Sequence, residues 1–484
     1  MNPGACPPAM RTPWLAWLAL ALIAPTLAGC ISTEGAPDLD AAAATTPAPT
    51  GMRLTMRDGL VVPTTDEAAT LVADVLDLQR GTFEPTLGIG PDGELFYSLA
   101  EPGGVAVGYR PGLLRSLDGG DSWDDVSPNL GGQALPPETN DPYVHVDTVT
   151  GRVFQFAMAP ILACAWLSFS DDEGDSWLHN PKGCGDSVPW DHQTLATGKP
   201  RMTPTIGYPN IVYQCVNQLV TASCARSLDG GLTFSHIGSP FGATPACGGL
   251  HGHLATSPDG IVYLPQDQCG TTTVARSLDD GLTWETIPVA EDIKTQQWSD
   301  PAVAVDVAGN VYVTFVDKVG QIWLAHSSDE GATYNAPTLV SPPGVTAHIP
   351  TIAAGATGKV AIAYPGTQDL IDGYDSPDDD QAAARWNAYI VSLDDALADT
   401  PTAHVLRATD PSDPLVRGPC GPDRCPAMTD FIDIVIGPDG TAYAAFADAC
   451  TDACSNDAEA DNNAANALLV RLRGAALQTP RTAT

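Results

Sequence analysis

The sequence predicts an all-β chain, a β-propeller of four-stranded antiparallel blades with seven blades favoured and six as the alternative, and two observations predict it. The first is a phrase that recurs: Ser116–Trp123 (SLDGGDSW), Ser170–Trp177 (SDDEGDSW), Ser227–Phe234 (SLDGGLTF), Ser277–Trp284 (SLDDGLTW) and Ser327–Tyr334 (SSDEGATY) share the pattern SxDxGx(S/T)(aromatic). A sixth, at Ser392–Leu397, keeps the serine and aspartate but loses the glycine and the aromatic. The aspartates stand 54, 57, 50, 50 and 65 residues apart, the length of one small antiparallel sheet. The second observation is a companion pattern upstream of each copy: a polar residue, often before proline, then an alternating apolar run, a glycine turn and a second apolar run.

Each part of the phrase has a mechanical role. The aspartate accepts hydrogen bonds from backbone amides, the glycine supplies a positive φ, and the aromatic closes the turn against neighbouring sheet. The companion runs alternate with period two and break at PDG (91–93, 438–440) or GN (309–310), the mark of hairpins. Two hairpins per unit make four strands. First-hairpin signals stand near 84, 141, 204, 251, 300, 349 and 430, which gives seven units. Units that each leave a face uncovered must stack around a common axis. The last unit lacks the phrase and finishes at 467–472, so an N-terminal strand at 52–56 or 71–78 is expected to complete it.

The repeated phrase resembles the Asp box, or BNR repeat, of the sialidase-like propeller superfamily, from about residue 80 to the C-terminus. The resemblance implies that Asp118, Asp172, Asp229, Asp279 and Asp329 are structural, lying between third and fourth strands on the face opposite the active site. It also implies what a sialidase would need: three arginines for the sugar carboxylate, one in an F/Y-R-I-P phrase, a tyrosine nucleophile primed by glutamate, and an aspartate acid/base. The chain has no RIP. At the nearest place, Thr82-Phe83-Glu84-Pro85, an acid stands where the arginine would be. Arg115, Arg226 and Arg276 adjoin box serines, leaving Arg80, Arg110, Arg201, Arg385, Arg417 and Arg424 scattered. True exo-sialidase activity is therefore disfavoured.

In a propeller the first strand of each blade lines the central channel, and its leading residue rings one mouth. Here those residues read Glu84, Asp141, Thr203, His251 with His253, Asp300, His348 and Asp430. Converging carboxylates and imidazoles can bind a cation or supply an acid/base pair for glycoside cleavage; equally, polar residues before proline cap strands and hydrogen-bond backbone and channel water. Loops carrying Trp190, His192, Trp298, Tyr374 and Trp386 offer aromatic platforms for sugar rings.

The N-terminus supplies an address. Arg11 is the only charge before an apolar run at 14–24, and Leu27-Ala28-Gly29-Cys30 follows, matching a prokaryotic lipobox. The expected organisation is a signal peptide at 1–29, a lipidated Cys30 with an Ala/Pro/Thr-rich tether at 30–50, and the propeller from 51 to 484, outside the membrane. Ten further cysteines agree with export and disulfides, Cys215 with Cys224 across one hairpin among them. Cys420 with Cys425 and Cys450 with Cys454 are loop-tying alternatives to a metal.

With 22 basic residues, five of them lysine, against 58 acidic ones, the net charge of −36 argues against nucleic acid and favours solubility. No cofactor is required. The acidic loops at 372–380 and 448–461 are dense enough in oxygen ligands for calcium, without EF-hand spacing. The expected protein is a monomer, tied to the membrane by its anchor alone, that binds a glycan or protein ligand at the channel mouth. A glycoside hydrolase or lyase with a rebuilt acidic site is the alternative.

Overall fold

In the computed structural model, seven four-stranded antiparallel sheets follow one another along the chain. Residues 54–55, 71–103, 109–128, 138–139, 141–159, 164–180, 191–218, 221–242, 248–295, 299–369, 384–416, 430–450, 465–475 and 477–478 are described. Innermost strands are Leu87–Ile89, Tyr143–Val146, Asp191–Gly198, Gly248–His251 continued by Ala255–Thr256, Ala302–Val305, Thr351–Ala354 and Asp433–Ile436, defining blades 1 to 7. The expected segment 1–50, Trp190, Trp298, Tyr374 and most of both acidic loops lie outside the described residues.

Each second strand is sealed on both faces, because blades stack face to face and leave it no solvent side. Val311–Val316 (VYVTFV) is buried at every position, and so is Val360–Thr367. Such strands read as continuous apolar runs rather than alternations. Where blades 5 and 6 meet, Tyr312, Leu324, Ile362, Tyr364 and Val391 form one buried cluster.

The ring is closed by the N-terminal strand Val72–Gly81, which pairs with Asn466–Arg473 in blade 7, Val75 opposite Val470. Of the two expected closing segments, the second does this. The first, Leu54–Thr55, pairs instead with Ala403–Arg407 at the edge of blade 6. Blade 3 corrects another expectation. Its inner strand is Asp191–Gly198, and Thr203-Pro204 sits in the long connection to Ile211–Gln218. That connection is pinned by the next blade, since Asp280 accepts from the amides of Arg201, Met202 and Thr203 at 2.7 to 2.9 Å.

All five repeated phrases occupy the turn between third and fourth strands and make the same bonds. In the third copy, Asp229 accepts from Ser227 Oγ, Thr233 N and Thr233 Oγ1 at 2.6 to 2.8 Å, and Gly231 N donates to Ser227 Oγ. The residue after each aspartate has positive φ: Gly119, Glu173, Gly230, Asp280 and Glu330. This left-handed step turns its carbonyl toward the preceding blade. There an arginine Nη1 meets it: Arg471 to Gly119, Arg115 to Glu173, Arg152 to Gly230, Arg226 to Asp280 and Arg276 to Glu330, at 2.5 to 3.1 Å. Blade 2 has Phe169 where blades 1, 3 and 4 have arginine before the box serine. Arg152, from the neighbouring strand, replaces it by lying over the Phe169 ring at 4.5 Å. The box glycine presses on the same seam: a Cβ at Gly331 would lie 2.8 Å from Tyr263 of blade 4.

The Cys215–Cys224 disulfide spans the paired strands of blade 3, in register opposite one another. Cys269 and Cys450 are also disulfide-bonded.

If the guanidinium-to-carbonyl contacts hold blades together, Arg226→Ala should lower unfolding free energy by about 1–3 kcal/mol, the range for a partly buried charged hydrogen bond. Arg385→Ala, which removes an exposed pair with Asp369, should cost under about 1 kcal/mol. Denaturant melts of both variants check this, and equal losses would contradict it.

Candidate functional site

Strand direction fixes where the chemistry collects. Because strands alternate up and down, the leading ends of all seven inner strands share one face, opposite the boxes. Hydroxyls stitch neighbouring inner strands there. Thr86 Oγ1 accepts from Val144 N, Thr194 Oγ1 from Leu254 N and Ser299 Oγ from Ile349 N, each at 2.8 to 2.9 Å. Across the closing seam, Asp433 accepts from Leu87 N and Glu84 Oε1 from Asp430 N.

The structure brings most of the expected ring together. Glu84 and Asp141 are buried beside their strands, as are His251 and His348; His253, Asp300 and Asp430 are partly exposed. Thr203 does not belong to the ring; Asp191, His192 and Gln193 take its place in blade 3. His192, expected in a loop, is strand and is 1 % exposed. Trp386, expected as a sugar platform, is instead 1 % exposed inside the cluster shared by blades 6 and 7 and presents no face to a ligand.

His192 is the centre of the arrangement. Its Nε2 lies 2.8 Å from Asp300 Oδ2. Burial opposes its charge, but the Asp300, Asp430 and Asp191 carboxylates outweigh burial and raise its pKa to about 9. His251 and His253 respond oppositely. Desolvation, together with the neighbouring His192 charge, lowers His251 to about 3 and His253 well below its usual value. One imidazolium thus sits among neutral imidazoles. Asp191 borders open channel yet is walled by protein, and desolvation with the Asp141 and Asp430 charges raises it to about 7. A side-chain contact with Asp141 adds to this rise.

Phe431, from blade 7, reaches across the axis. Its ring is 4.9 Å from His192 of blade 3 and 4.9 Å from His253 of blade 4, edge-on to both. Blade 7 faces blades 3 and 4 in a ring of seven, so this side chain spans the axis between them. Beside it lies a pocket lined by His192, His253, Asp300, Ile349, Asp430 and Phe431 with their neighbours. Among the described residues, arginine is absent from that lining.

Backbone strain gathers here. Glu84, His192 and Ile349 have φ of 49°, 55° and 36°, and a β-branched residue in that region is an outlier. Gly252 is needed for a different reason: a Cβ there would stand 2.0 Å from Pro301 O of the next blade. Among the described residues, no group of three His, Cys, Asp or Glu side chains converges to hold a metal ion.

No protein-family model matches the chain, and no curated protein matches its sequence. Several solved structures are similar in arrangement. A Hadza microbial sialidase, Hz136, is 19% identical over 59% of this chain and 63% of its own, with a TM-score of 0.41. A GH74 enzyme from Niastella koreensis is 14% identical over 84% and 59%, TM-score 0.45, and Aleuria aurantia lectin bound to Fucα1-6GlcNAc is 8% identical over 68% and 97%, TM-score 0.41. The chain spans less than two thirds of the first two proteins. The seven-bladed ring itself is established by strand pairing, not by these likenesses.

The sign of the His192 effect sets a pH test. Its folded pKa is raised, so the pair with Asp300 stabilises fully below about pH 6.5, weakens as pH climbs and is lost above about 9. The stability gap between wild type and Asp300→Asn should therefore be widest near pH 6 and close above 9. A gap that widens with alkalinity would contradict the assignment.

Proposed function

We propose that this chain is a noncatalytic propeller that binds a glycan at the acidic mouth of its channel. The observation that carries the reading is Phe431: an edge-on ring between His192 and His253 fills the axis where a hydrolase needs an open cleft. The same mouth is built to hold hydroxyls, since carboxylates and neutral imidazoles accept and donate hydrogen bonds over an apolar floor. A sialic acid's carboxylate would meet Asp300 and Asp430 here, and among the described residues no arginine lines the pocket to receive it. The hydrolase alternative keeps one supporting observation, the Asp191 carboxyl raised to about 7, where a general acid works.

Glycan-array screening of residues 51–484 beside chromogenic glycosides tests this. Glycan capture that Asp300→Asn weakens about tenfold or more, the effect of losing a charged hydrogen bond, with no turnover, is expected. Turnover abolished by Asp191→Asn would replace binding with hydrolysis.

The address is also proposed. The apolar run before Leu27-Ala28-Gly29-Cys30 supports export and lipidation of Cys30, with 31–50 as tether. Fatty-acid labelling in a bacterial host should mark the wild type and not Cys30→Ser; equal labelling would overturn it.

A further inference from the structure

The pocket beside Phe431 has a composition that narrows the glycan. Its walls are apolar, contributed by Ile349, Phe431 and two prolines, and its polar side chains are His192, His253, Asp300, Thr351 and Asp430. The pocket has free space for a group the size of a water molecule, which an ammonium fits. His192 Nδ1 and His253 Nε2 are buried and have no hydrogen-bond partner among the described residues. Because Asp300 occupies the far side of the His192 ring, the remaining N–H is a donor in want of an acceptor.

We infer that this pocket recognises the protonated amino group of an unacetylated amino sugar, with Asp300 and Asp430 accepting from the ammonium and the neighbouring ring hydroxyl accepting from His192 Nδ1–H. The inference rests on the glycan reading above. Two features exclude nearer competitors. An N-acetyl group loses the charge, and its amide carbonyl would meet the Asp300 and Asp430 carboxylates. A simple alkylamine satisfies the carboxylates but leaves His192 Nδ1 unpaired, whereas a vicinal amino alcohol satisfies both. The apolar walls then cover the sugar ring at the rim, as aromatic and proline faces do in carbohydrate sites.

Calorimetric titration of the purified propeller with a fully deacetylated glucosamine tetramer, its N-acetylated counterpart and n-butylamine, at about pH 6 where the amine is protonated, separates these outcomes. The deacetylated tetramer should bind about tenfold or more tighter than either control, and Asp430→Asn should remove that preference. Equal affinity for the two tetramers overturns the amino-sugar assignment while leaving a glycan module standing. Failure to bind these and every arrayed glycan overturns both. Butylamine binding as tightly as the deacetylated tetramer reduces the pocket to a cation site and overturns the sugar part. Should Asp430→Asn not fold, histidine ring resonances of the wild type decide: those of His192 must shift on saturation with the deacetylated tetramer and stay still with the acetylated one, and no shift overturns the proposal.

Discussion

The arginine that reaches from one blade into the box of the next is the contact on which the rest of the ring depends. A four-stranded sheet cannot cover both of its faces, so a propeller stands only if every blade finds its neighbour in one orientation. Five seams use the same device, running from blade 7 to blade 1 and on to blade 5. A left-handed residue turns a carbonyl outward, and a guanidinium from the preceding blade takes it. Apolar packing supplies most of the stability, but it is non-directional. The charged hydrogen bond adds direction, and Arg152 doing the work from a different strand indicates that the contact matters more than the position it comes from.

The two remaining seams are held otherwise. Between blades 5 and 6, Asp306 and Tyr312 both engage Gly358 N. Between blades 6 and 7, Ala356 N donates to Leu477 O near the C-terminus. The N-terminal strands lie on the outer edges of these same two blades, Leu54–Thr55 on blade 6 and Val72–Gly81 on blade 7. The sixth phrase, which lacks the glycine and the aromatic, stands in blade 6, at a seam held by Asp306 and Tyr312. Holding the rim in this way forces the leading ends of the inner strands together at the opposite face. Acidic groups that would repel one another in a flexible chain are kept close there, and the field they create keeps His192 charged. Strain at Glu84, His192 and Ile349 is tolerated because the ring over-determines those positions.

Much of this architecture was legible in the sequence. The boxes gave the period, PDG and GN gave the hairpins, and one of the two proposed closing strands proved correct. Blade 3 was misplaced because its inner strand opens on Asp191-His192-Gln193, a polar run that mimics a loop, while Thr203-Pro204 in the following connection imitates a strand start. Trp386 looked like a platform because large aromatics serve both cores and sugar sites, and only packing tells them apart. The arginines beside the box serines were visible, yet their acceptors lie in the following blade, more than fifty residues on. Phe431 was beyond reach for the same reason, since its partners in blades 3 and 4 become neighbours only when the ring closes.

Amide hydrogen exchange followed residue by residue tests the latch most directly. The account predicts that Gly120, Gly174, Gly231, Gly281 and Gly331, whose buried amides donate to box serines, exchange together and only on global unfolding, although they sit in turns and not in strands. Exchange of these amides at the rates of ordinary exposed turns, with the blade strands still protected, would contradict it.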